Sequence, residues 1–167
     1  MTNVNKIYGF RLYQSGGKEV RARKWVKTTG AAIYPGDAVK LIAAGTVSKF
    51  ANGDGKVLGV CAEYATSASN EIWVYDEPQA VFEVQGETFA ATDVGLNADI
   101  SATDTPDTSL RLSGNELDVG NGATTVSLPF KILGLSPKQN TDEAGANADI
   151  LVKMNNCVLG SDGSTGI

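Results

Sequence analysis

The chain of 167 residues contains no histidine. That absence removes the commonest general base, the Ser–His and Cys–His nucleophile pairs and the commonest metal ligand, and with them most enzyme designs. Cysteine is nearly as scarce. Cys61 and Cys157 are too few and too far apart for a disulfide framework or a zinc cluster, and each sits in an apolar neighbourhood, VLGVCAEY and NNCVLG. Both are expected as buried free thiols that pack as small hydrophobes. No run of about 18 apolar residues could span a bilayer, and no short apolar stretch follows a basic start as in a secretory signal, so synthesis in a cytoplasm is expected. Aromatics make up only 7% of the chain, yet hydrophobic residues reach 42%, enough for one core or for two small lobes that share one.

Glycine, by contrast, is abundant: nineteen residues punctuate the chain. They separate short β-branched and aromatic runs at intervals of roughly 8–12 residues, the spacing of a barrel or sandwich. Asp37–Ala43 leads through Ala44-Gly45 into Thr46–Phe50 with alternating apolar and polar side chains, a hairpin signature. Further strands are expected over residues 56–64, 71–75, 80–85, 109–112, 116–119, 125–135 and 148–154. No segment keeps a helical period for as long as about 11 residues, although Thr141–Ala146 could form one helical turn. The fold class is therefore all-β, a compact barrel, β-tulip or sandwich of short antiparallel strands. Gly95-Leu-Asn-Ala-Asp-Ile100 returns as Gly145-Ala-Asn-Ala-Asp-Ile150. Two copies fall short of a repeat architecture and point instead to similar passages from loop to strand.

Candidate chemistry is confined to oxygen ligands. The adjacent acids Asp76-Glu77 and Asp142-Glu143 are the densest carboxylate sites, but each adjoins turn residues and reads as a solvated loop rather than a glycosidase pair. Asn140, Asp142, Glu143, Asn147 and Asp149 bunch hard oxygen ligands in one loop, which suits calcium better, though their spacing differs from the twelve-residue helix-flanked loop. Asn52-Gly-Asp-Gly-Lys56 lacks the phosphate-loop pattern and is a turn. The expectation is a protein without catalytic residues, required metal or cofactor.

Charge supplies the sharpest asymmetry. Residues 1–27 hold seven of the fourteen basic residues and one acid, a net +6, and the remainder sums to −11. The segment reads as a basic N-terminal arm, followed by a β-rich domain over 28–157 and a flexible C-terminal tail over 158–167. Such a division speaks of partners rather than of fold. Lys6, Arg11, Arg21, Arg23 and Lys24 interleave with the rings of Tyr8, Phe10, Tyr13 and Trp25, a composition suited to interface anchors. In an extended chain Arg21, Arg23 and Trp25 share one side and could add a strand to a partner's sheet. Stacking on nucleic-acid bases is the other use of such rings, but a sequence pI near 4.7 disfavours approach to a polyanion.

Pro35-Gly-Asp-Ala-Val-Lys-Leu41, Val57-Leu-Gly-Val60, the stretch Glu71–Gln85 and Leu128-Pro-Phe-Lys-Ile-Leu-Gly-Leu135, with Asn140, Gly145-Ala-Asn147 and residues 152–156, resemble the small structural proteins encoded beside the major capsid protein in tailed bacteriophages. That group includes the head decoration, or cement, proteins. The resemblance implies a β-tulip, barrel or sandwich assembled as dimers or trimers on the outer capsid surface, bound to the major capsid protein and stapling neighbouring subunits. Related chains tend to carry His after the last strand's Asn-Asn; here Cys157 stands there. The competing class is another virion part, a tail, baseplate or head-fibre component whose β domain meets a receptor or glycan through Trp73, Tyr75 and Asp76. Neither class calls for nucleic acid or a membrane, and a homotrimer is the favoured assembly.

Overall fold

The computed structural model describes residues 3–13, 19–102, 105–137, 143–160 and 162–167. The described residues form eleven strands, β1 (Arg11–Tyr13), β2 (Arg23–Val26), β3 (Ala38–Leu41), β4 (Val47–Lys49), β5 (Gly59–Cys61), β6 (Glu71–Tyr75), β7 (Val81–Gly86), β8 (Asn97–Ile100), β9 (Leu117–Ala123), β10 (Phe130–Leu135) and β11 (Ala148–Met154), and one short 3-10 helix, Ala91–Asp93, between β7 and β8. Among the described residues no helix is long and apolar enough to cross a membrane. The all-β expectation holds.

Two sheets divide the work. In the first, the order β7-β11-β10-β8-β9 closes into a five-stranded barrel, because Gly86 of β7 meets Leu117 of β9 in a parallel bridge. Full closure removes exposed edges from most of this ring. Along the remaining length of β7 its outer edge is taken by β1, in the antiparallel register Arg11↔Glu83, Leu12↔Phe82 and Tyr13↔Val81. The second sheet runs β2-β6-β5-β3-β4, and its ends approach at the Lys27↔Val47 bridge. β3 and β4 form the expected hairpin around Ala44-Gly45.

Inward residues of the barrel and of β3, β5 and the 50–57 loop share the larger core, which takes in the rings of Phe10, Phe50, Phe82, Phe89 and Phe130. A smaller core of Ile33, Val39, Val47, Leu58, Cys61, Ile72 and Val74 lies on the other side of the second sheet. Composition allowed one core or two lobes sharing one; the structure has a larger core shared by the two sheets and a second, smaller one. The echo between residues 95–100 and 145–150 marks where the chain passes into β8 and β11, which flank β10 on either side. In each case the chain turns on a glycine of positive φ, Gly95 at 90° and Gly145 at 144°.

Three expectations need correction. Paired strands begin well before Thr28, since β1 and β2 are integral to the two sheets. The chain takes these positions because Phe10, Leu12 and Trp25 have apolar surface that only the cores can cover. Residues 109–112 form no strand: the Asp107 carboxylate accepts bonds from the Ser109 and Leu110 amides and the Ser109 hydroxyl, a local turn that outcompetes a ladder. The expected tail is tied down, with Ser164 N–H donating to the Asn155 side chain, Gly166 N–H to Thr124 and Ile167 N–H to Gly95. The expected helical turn at 141–146 begins outside the described residues.

Candidate functional site

Nine of the eleven cationic and aromatic residues of the N-terminal segment fall into two groups. Lys6, Tyr8, Phe10, Arg11 and Tyr13 line residues 3–13, which run across the barrel. Phe10 is 3% exposed; its ring stacks on Phe130 at 4.5 Å between centroids and meets Phe82 edge-on at 6.4 Å. Its backbone N–H donates to the Gly36 carbonyl at 2.9 Å. That approach needs glycine on both sides: Gly9 and Gly36 have φ of 64° and 90°, and a Cβ on Gly36 would lie 2.6 Å from the Tyr8 carbonyl oxygen. Two residues before Phe10, Tyr8 donates its hydroxyl to Asp149, whose side chain is fully buried. Burial and the adjoining carboxylate push the Tyr8 phenol far above its ordinary pKa, so it remains a donor. Lys6 Nζ lies 3.0 Å from the other Asp149 oxygen, and the Arg11 guanidinium covers the Tyr8 ring at 3.9 Å. Gln85 completes the clasp by accepting from the Lys6 N–H and donating to the Val4 and Asn147 carbonyls.

Tyr8 and Phe10 therefore cannot be adhesive anchors, because their rings are consumed by the fold. Asp149 is likewise no calcium ligand, its two oxygens being occupied by Tyr8 and Lys6. Asn140 and Asp142 lie outside the described residues, and among the described residues no group of three or more metal-capable side chains occurs.

The second group, Arg21, Arg23, Lys24 and Trp25, lies on or beside β2. Arg23 Nε reaches both Asp76 oxygens at 2.8 Å, and Trp25 Nε1–H donates to Asp76 at 2.8 Å. The Asp76 side chain is only 3% exposed, so it is a fixed acceptor that aligns a cation and an indole. Its charge-assisted bonds raise the Arg23 pKa further. Arg23 and Trp25 do share one side, as alternation requires, but that side faces the smaller core, against which Trp25 packs. The opposite, outward side carries Lys24 and Val26 from β2 with Trp73 and Glu71 from β6, paired in register. Lys24 Nζ reaches Glu71 at 3.0 Å and lies 5.6 Å from the Trp73 ring centre. Arg21, well exposed, pairs with Glu19 at 3.1 Å.

β2 is the terminal strand of its sheet. Lys27 N–H donates to the Asn70 carbonyl, and in the β2–β6 register this turns the amides of Lys24 and Val26 away from β6 and toward the open edge. The edge ends where Thr28 N–H donates to Val47 and Lys27 is buried against the second sheet. The strip from Arg21 to Val26 is thus a strand edge with outward cations on a predominantly acidic body.

The receptor platform expected from Trp73, Tyr75 and Asp76 is not assembled. Trp73 points outward, Tyr75 packs against the larger core and Asp76 is enclosed by Arg23 and Trp25. Cys61 and Cys157 are buried and free, and burial pushes the Cys61 thiol up to about 12. Sequence reasoning missed Asp76 as the organiser of β2; its one signal is position, an acid directly after an aromatic strand. In comparisons with known proteins, no family model and no curated protein matches the chain.

Proposed function

We propose that this chain is a structural virion protein that seats on the outer surface of a tailed-phage head and cements neighbouring major capsid protein subunits. The observation that carries the proposal is β2, a terminal strand with Arg21 and Lys24 on or beside it and Val26 exposed. An open strand edge is a template for β-augmentation, in which a partner's extended segment supplies main-chain hydrogen bonds and side-chain spacing supplies specificity. Asp76 holds Arg23 and Trp25 in place, so the edge is rigid before the partner arrives and little ordering entropy is lost on docking. The cations attract an acidic capsid surface, while the negative charge of the body keeps copies apart except at built contacts. A homotrimer set on threefold lattice points would multiply a modest single contact through effective concentration. The role uses no catalytic residue, metal, nucleic acid or membrane.

The test is co-sedimentation of the purified protein with undecorated tailed-phage heads assembled from a major capsid protein. Saturable binding that weakens as salt rises is expected, because exposed charges are screened beyond about 8 Å at physiological ionic strength. No binding at low salt would reject the role.

A further inference from the structure

Beyond the edge of β2, across β6 and the loop that follows β5, lies a groove of about 550 Å³ lined by Glu63, Tyr64, Ser69, Asn70, Glu71 and Trp73. Two of its lining residues are aromatic. Tyr64 is fixed, its ring 5.3 Å from that of Tyr34 and covered on another side by the Arg111 guanidinium at 4.7 Å. Trp73, 39% exposed, stands out from the sheet opposite Lys24. The rest of the lining is polar and incompletely used. The Ser69 hydroxyl is bonded to Thr66, and one Glu71 oxygen takes Lys24. Among the described residues, the Glu63 carboxylate, the Asn70 carboxamide and the Trp73 indole N–H have no side-chain partner.

We infer that this groove is a carbohydrate-binding site for neutral, hexose-containing glycans. A sugar ring offers an apolar C–H face for an exposed indole and a rim of hydroxyls that both donate and accept, which matches a Trp and Tyr pair set around carboxylate, amide and indole N–H groups. The Glu63 carboxylate repels sialylated, sulfated or phosphorylated glycans. A cationic peptide is the other chemistry that acids and rings attract, but the cation place over Trp73 is filled by Lys24, which also neutralises Glu71. The site does not depend on capsid docking: a strand added beside β2 would extend the sheet in its own plane, with β2 between that strand and the groove.

The chain has two tryptophans, and their indole N–H signals separate the outcomes. Trp25 Nε1–H is held by Asp76, whereas Trp73 lines the groove. In a nitrogen–proton correlation spectrum of the isolated full-length protein, titrations with maltotriose, chitotriose, lactose, sialyllactose and trilysine are compared. At least one neutral probe is expected to shift the Trp73 signal and leave the Trp25 signal in place, with sialyllactose binding more weakly than lactose. Trp73→Ala and Glu63→Gln should each weaken the best neutral probe by about tenfold or more, a loss of roughly 1.4 kcal/mol, while the unmoved Trp25 signal certifies the fold. No shift with any neutral probe, undiminished shifts of the Asn70 and Glu71 backbone amides in Trp73→Ala, or preferential binding of trilysine would each overturn the assignment.

Discussion

Residues 3–13 carry two cations and three aromatic rings, residues 19–27 four cations and one ring, and the fold uses the two stretches in opposite ways. The first stretch turns its rings inward, Phe10 into a cluster with Phe82 and Phe130 and Tyr8 onto buried Asp149, so that it closes the flank of β7 that β9 leaves uncovered. The second stretch forms a terminal strand whose outward side stays in solvent. The difference comes from what each stretch can reach. A glycine pair, Gly9 and Gly36, lets the first approach the backbone closely enough to insert a ring, whereas the second meets a β6 whose inner face is already filled by Ile72 and Val74. Burial makes one half structural, and exposure leaves the other available.

That contrast is broken most severely by emptying the first half. Phe10→Ala should destabilise the protein by about 3–5 kcal/mol in chemical denaturation, the range for deleting a buried aromatic ring. Deleting residues 1–13 should give a barrel that does not fold, since β7 would lose its partner along Arg11–Tyr13. A truncated protein with an unchanged melting temperature would return residues 3–13 to the role of an appended arm. The next effect is smaller. Tyr8→Phe removes one donor from a fully buried carboxylate and should cost about 1–3 kcal/mol, with Lys6 still in place to hold the charge.

A pH series sharpens the same comparison where the second half enters the core. Burial raises the Cys61 thiol from about 9 to about 12, with Asp37 and Glu63 adding to the rise and the Glu63 backbone and Lys27 opposing it. The folded state thus holds this proton more tightly than the unfolded chain. Its contribution to stability is complete below about pH 9 and is lost as pH climbs through 12. Lys27, pulled below its ordinary value by burial, acts in the opposite sense. The difference between the native protein and Cys61→Ala therefore isolates the thiol: the variant should lose less stability across that alkaline window. Equal slopes would mean that the thiol ionises as freely in the fold as in the unfolded chain.

The smallest stability effect belongs to the outward side of β2. Lys24→Glu breaks a solvent-exposed pair with Glu71, and thermal denaturation should change by only about 0–1 kcal/mol, the worth of such pairs. Head binding, in contrast, should fall sharply, because the reversal acts on the edge itself.

How far the sequence displays this architecture follows from which forces act locally. Alternation and Gly45 announced the β3–β4 hairpin, and β-branched runs announced β6, β7, β10 and β11. β8 escaped because Asn-Ala-Asp-Ile has the composition of a loop; its strand conformation is imposed by β9 and β10 on either side. β1 and β2 were obscured by charge, which says where a chain can dock and little about where its rings go. For the site, Arg23, Lys24 and Trp25 were visible as a set, but the sorting of inner from outer side chains required Asp76, 53 and 51 residues from Arg23 and Trp25. Asp149 sits in sequence among possible cation ligands, but its partners in the fold, Lys6 and Tyr8, lie 143 and 141 residues away.

The most direct measurement addresses the edge of β2 as a docking template. Proline at position 26 removes an amide that faces the open edge while leaving the ladder to β6 intact, and so blocks strand addition without unpairing the sheet. Cryo-electron microscopy of heads incubated with native protein or with Val26→Pro, each verified as folded by circular dichroism, then gives the answer. Native protein should decorate the heads with density continuous from β2 into a capsid strand, and Val26→Pro should leave them bare. Full decoration by Val26→Pro would contradict docking through this edge.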